Sequence, residues 1–174
     1  MIRLRAEYLF SRGRFSDITF NFTNGTSASF VKWAEGYRPI IRGNSVRWMK
    51  KSETDYSYAN FKKYLRIVFM YAGSYSLSRE MKTLSSAEKL KTGDVIIEGG
   101  FPGHAVIIVD EVVNERTGEK LYLIAQSFMP AQSIYILKNS NPTLSPWYRI
   151  NGKDNELLTP FWTFTDLKNQ LRRF

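Results

Sequence analysis

At 174 residues and 43% hydrophobic, the chain has material for one domain with a real core and is short for two. It holds no cysteine and one histidine, which excludes disulfides, a thiolate nucleophile and Cys-based metal sites within these residues and disfavours zinc; no metal or cofactor is expected. The net charge of +9 is concentrated in residues 1–51, with ten Lys/Arg against three Asp/Glu. That balance suits anionic partners, yet Arg3, Arg5, Arg12, Arg14, Arg38, Arg42 and Arg47 are dispersed and no nucleic-acid motif accompanies them, so a solvated basic face is preferred over nucleic-acid binding. No apolar run is long enough for a transmembrane helix, and no export signal is visible.

In chain order, IRLRAEYLFSR reads as a helix with no Ser, Thr, Asp or Asn ahead of it to cap the free amides, which suggests that an upstream portion is missing. FSDITFNF alternates, with Ile18, Phe20 and Phe22 on one face, and Asn24-Gly25 predicts a tight hairpin returning as SASFVKW. Residues 36–55 read as a long irregular loop broken by Gly36, Pro39 and Gly43. From Ser57 a helix is predicted with Phe61, Leu65, Val68 and Phe69 at helical spacing, ended by Gly73, and a shorter helix follows around SLSREMKTL.

Strands follow. VIIEGG, PGHAVIIVDEVV, LYLIAQSF and SIYILKN are read as four, the second and third joined across NERTGEK, and the fourth with both faces covered. NPTLSPWYRI reads as loop, TPFWTF as aromatic packing, and Thr165 as the cap of a last helix whose final turn carries Arg172 and Arg173. Helices first and an antiparallel meander after them predict an α+β fold.

The chemistry centres on GDVIIEGGFPGHAVIIVD, where His104 starts a strand after Gly103 and glycines leave the backbone open to a ligand. A structural histidine at a strand start is the plain alternative. If residues 104–114 pair with 120–130, the ring meets AQSFMPAQ, which brings Gln126, Ser127 or Gln132 within reach; a one-residue slip changes which of them faces it. A polar group fixed on an imidazole is what holds a general base in one tautomer. Asp110 shares the parity of His104 but lies too far along the strand to touch it. Asp94 reads as a turn residue, and Glu98 as structural unless the EGG turn folds inward. Ser127 is the nearest candidate nucleophile on paper, but no G-x-S-x-G elbow is present. Trp147 and Tyr148, in a loop between Pro146 and Arg149, are the aromatics expected to line a groove; most other tryptophans are assigned to packing.

The blocks RLRAEYLF, FNFTNG, WAEGYR, PGHAVIIVD, AQSFMPAQ, ILKN, SPWY and TPFWTF, in this order, resemble an uncharacterised bacterial family, domain of unknown function 4846. The resemblance implies a longer protein, exported to the periplasm or cell envelope, with a cysteine shortly before the first helix, so that residues 1–174 form one domain at its C-terminal end. The order of parts also resembles papain-like peptidases of the NlpC type, in which a cysteine at a helix N-terminus precedes a sheet bearing a histidine and a polar orienter. A helix N-terminus lowers a thiol's pKa, which suits that placement. This likeness implies His104 as base and Gln126 as one orienter, with Gly103, Ser127, Gln132, Trp147 and Tyr148 as substrate-binding candidates. It further implies amide or ester hydrolysis, on cell-wall peptides by analogy, by the full-length protein and not by this chain alone. The rival expectation is a non-catalytic module that binds a glycan or peptide.

Overall fold

A computed structural model of the chain describes every residue except 129 and 131, and divides into two compact units, Met1–Glu80 and Met81–Phe174.

In the first unit, helix α1 (Ile2–Ser11) starts without a side-chain cap and buries Ile2, Ala6 and Leu9. Strands β1 (Thr19–Asn21) and β2 (Ser27–Ser29) form the predicted hairpin around Asn24-Gly25, with Gly25 at φ +86° and Ile18, Phe20 and Phe22 all buried. The return strand is shorter than expected. Ser29 accepts a hydrogen bond from the Lys32 amide and starts helix α2 (Phe30–Ala34), because burying Phe30 and Trp33 on one helical face outweighs the strand preference of FVKW.

The expected long loop is a second hairpin, β3 (Tyr37–Arg42) with β4 (Ser45–Lys50), turned at Gly43. Pro39 is tolerated because this sheet has two strands only, each with a free edge. Helix α3 (Tyr58–Tyr71) begins as predicted at Ser57, whose hydroxyl accepts from the Asn60 amide at 3.2 Å. It buries Phe61, Leu65 and Val68 but leaves Phe69 exposed. Helix α4 (Ser74–Glu80) closes the unit. Rings fill its centre: Phe10 stacks on Phe61 at 4.3 Å, Phe30 meets Phe61 edge-on at 5.3 Å, and the buried Tyr64 hydroxyl donates to the Ala28 carbonyl at 2.7 Å.

The second unit is built on one antiparallel sheet, which together with the helices makes the α+β class. Its strands are β5 (Lys82–Thr83), β6 (Val95–Glu98), β7 (His104–Val113), β8 (Lys120–Gln126) and β9 (Tyr135–Ile136), with a small separate pair, β10 (Leu157–Leu158) and β11 (Thr163–Phe164). The predicted C-terminal helix shrinks to α5 (Leu167–Gln170), with Asp166 and not Thr165 at its N-cap position. Residues Leu171–Arg173 leave it as strand β12, inserted between β5 and β6 to give the order β5-β12-β6-β7-β8-β9. Arg172 and Arg173 therefore belong to a strand, and Arg173 forks onto Asp94 with two bonds of 2.6 Å. Asp94 also accepts from the Lys91 amide at 2.9 Å, which is the turn role expected of it.

One face of the sheet carries Ile96, Val106, Ile108, Tyr122 and Ile124 into a core completed by Leu157, Phe164, Leu167 and Leu171. The fourth predicted strand is covered on one face only: Leu137 is buried while Ile134 and Ile136 are exposed. A bulge between Ile108 and Asp110 shifts the β7–β8 register, so Asp110 opposes Leu123 and lies on the face opposite Ile108, not on that of His104.

Candidate functional site

The site forms at the open end of β6, β7 and β8. The β6–β7 register sets His104 against Glu98 and Val106 against Ile96, so all four side chains share the core face. On β7–β8, Ile107 opposes Ala125, which puts Gln126 opposite Val106 and diagonal to His104 on that face. The geometry closes the gap: His104 Nε2 lies 2.6 Å from Gln126 Oε1, and Gln126 Nε2 donates at 2.7 Å to the Tyr135 hydroxyl on β9. Because the amide NH2 is committed to Tyr135, its oxygen is left to accept, and the imidazole proton sits on Nε2. Nδ1 then carries the lone pair. The residue is buried, 9% exposed, and among the described residues no hydrogen bond to Nδ1 is seen.

Aromatic rings surround the imidazole. Trp162 stacks on it at 5.4 Å and 29°, Phe128 lies at 5.3 Å and Phe164 at 6.1 Å. Burial among these rings lowers the His104 pKa from 6.5, opposed by the Gln126 bond, which favours the charged form. The ring is thus a neutral base at pH 7.

Trp162 is positioned by a Thr-Pro-Phe-Trp turn between β10 and β11. Thr159 accepts from the Trp162 amide at 3.2 Å and donates its hydroxyl to the Trp162 carbonyl at 2.6 Å, leaving Phe161 exposed at the tip and 5.6 Å from Phe128. The indole N–H donates to Glu98 Oε2 at 3.1 Å, and Gln170 from α5 donates to the same oxygen at 3.3 Å. Gly100 lets the loop before His104 turn sharply, since a Cβ there would come within 2.8 Å of the Pro102 carbonyl oxygen.

Of the three polar residues placed within reach of the ring, the structure brings Gln126 to it. Ser127, one residue past β8, and Gln132, in the connection to β9, are both exposed and make no hydrogen bond to the imidazole. Gly103 is half-buried beside it. Trp147 and Tyr148 lie elsewhere. Tyr148 bridges Tyr122, four residues or about 13 Å along β8 from Gln126. It is 2% exposed, with its hydroxyl bonded to the Lys138 carbonyl, so it is core and lines no groove. Trp147 is half-buried, its backbone tied to Leu144 and Asn139. Sequence reasoning missed Trp162, Glu98 and Gln170 as one group; the only signals were the inward option for the EGG turn and the aromatic density of TPFWTF.

Among the described residues no cluster of three or more His, Cys, Asp or Glu side chains could hold a metal, and no helix is long and apolar enough to cross a membrane. The site thus holds an imidazole bonded through one nitrogen and packed among aromatic rings, on an antiparallel sheet of an α+β protein. The sequence profile of the family described as domain of unknown function (4846) matches residues 1–173, and the chain belongs to that family. No curated protein and no solved structure matches it.

Proposed function

We propose that His104 is the general base of a papain-like, NlpC-type acyl-transfer site that hydrolyses amide or ester bonds, with the thiol supplied by residues outside these 174. The observation that carries this reading is the asymmetry of the imidazole: Nε2 is held by Gln126 at 2.6 Å while no hydrogen bond to Nδ1 is seen among the described residues. The order of parts, helices before a sheet whose base-bearing strand neighbours an orienter-bearing one, supports the papain-like assignment.

The thiol gives its proton to Nδ1 and the thiolate attacks the acyl carbon. A C–S bond forms, the C–N or C–O bond breaks, and the imidazolium passes that proton to the departing amine or alcohol. Water, deprotonated by the same nitrogen, then cleaves the thioester and restores the thiol. Gln126, tied back to Tyr135, keeps Nδ1 unprotonated between these steps. Cell-wall peptide is the substrate class that the NlpC likeness suggests.

The test uses the full reading frame of the gene, which the proposal requires to encode a cysteine outside these 174 residues. Its cysteine should react with iodoacetamide at pH 7 about tenfold faster than in the His104→Ala variant, because an adjacent imidazole raises the thiolate fraction. Equal rates, or a reading frame without a cysteine, contradict the proposal.

A non-catalytic glycan- or peptide-binding module is the second reading. It is favoured by the exposed Phe161 beside Phe128, which extends the aromatic wall of His104 outward.

A further inference from the structure

Glu98 faces His104 directly across β6–β7, the position in which opposite residues of an antiparallel pair hold their Cβ atoms about 4.5–5.5 Å apart. A carboxylate so placed is the natural partner of an imidazole, and pairing would leave the ring protonated near neutral pH. Here no bond joins them. The ring gives Nε2 to Gln126, and Glu98 Oε2 takes the Trp162 indole N–H at 3.1 Å and the Gln170 amide at 3.3 Å. The same indole stacks on the imidazole at 5.4 Å, so one side chain both covers the face of the base and occupies the acid beside it.

We infer that Trp162 is a positioning residue: by holding Glu98, with the help of Gln170, it prevents an ion pair between Glu98 and His104 and so preserves the neutral base. The inference rests on the reading of His104 as a base for its functional meaning, but its geometry stands without that reading. The other groups packed on the ring are compatible with it. Among the described residues, β8 and β9 contribute neutral Gln126 and, behind it, the Tyr135 phenol, while the rings of Phe128, Phe164 and Trp162 carry no charge. Glu98 is therefore the one carboxylate that directly faces the base among these elements.

His104 is the sole histidine, so its titration is read from a single imidazole by NMR on the chain as it stands. Trp162→Phe keeps a ring over the imidazole and removes the N–H donor. The released carboxylate should raise the His104 pKa by about 1 unit, the lower end of the effect of an opposite charge within 4–6 Å. In the double variant Trp162→Phe/Glu98→Gln that rise should vanish, leaving the value of Glu98→Gln alone. If Trp162→Phe does not fold, Gln170→Ala removes the other donor and should give a smaller rise of the same sign. An unchanged pKa in the folded single variants, or a rise that survives Glu98→Gln, overturns the inference. The outcome is independent of thiol labelling: failure here with base-dependent labelling intact removes only the role of Trp162, whereas the reverse pattern removes only the hydrolytic reading.

Discussion

The two units solve the same problem differently: what to do with a polar or ionisable group in an apolar interior. The first unit builds its centre from rings, Phe10, Phe30, Phe61 and Tyr64, and leaves most of its charges outside. Its exception is Glu80, whose carboxyl accepts the Asn21 amide at 2.6 Å and is raised by burial to a pKa of about 7. The second unit packs an aliphatic sheet and provides partners for its polar groups. Asp94, 1% exposed, is forked by Arg173, and His104 is kept neutral and bonded to an amide. The lesson is that a buried charge is tolerated when a cation is present, a buried base when it can stay neutral, and a buried acid without a cation only when it is protonated.

The largest effect expected from this contrast is on the charged pair of the second unit. Arg173→Ala leaves Asp94 buried without its cation and should cost about 1–3 kcal/mol in chemical denaturation, with Arg173→Lys recovering only part, since an ammonium cannot reproduce the fork. A cost near zero would mean that the pair contributes nothing net to the second unit.

Glu80 should behave in the opposite way. Its raised pKa makes its contribution complete below the ordinary value of 4.5 and lost as pH rises through about 7. Glu80→Gln should therefore stabilise the first unit above pH 7, by about 1 kcal/mol once solvent screening of this partly exposed carboxylate is discounted, and leave it unchanged below pH 4.5. A gain that is equal at both ends of the pH range would show that the carboxylate charge is not what matters.

How much of this was legible in the sequence depended on how local each feature was. The α+β class followed from alternation, and the NERTGEK turn with the count of residues along two adjoining strands narrowed the partner of His104 to Gln126, Ser127 or Gln132, of which the structure selects Gln126. Helix α3 followed from Ser57 and the spacing of Phe61, Leu65 and Val68. Features set by distant partners were not readable. LRRF continues a helical pattern and becomes strand only because β5 and β6 leave a slot for it. The β3–β4 hairpin is hidden by Pro39 and by the lack of a clean apolar–polar alternation in YRPIIR. Trp162 and Glu98 are 64 residues apart, so no periodicity links them. The loop carrying Trp147 and Tyr148 looked like a surface from its prolines, yet the bridge to Tyr122 draws Tyr148 into the core.

The account depends most directly on which imidazole nitrogen carries the proton. Two-bond 1H–15N correlation of the single histidine at pH 7 reads this without ambiguity of assignment. The arrangement of Gln126 and Tyr135 predicts a neutral ring protonated at Nε2 with Nδ1 bare, lost in Gln126→Ala. A ring protonated at Nδ1, or fully charged at that pH, would contradict the site as described.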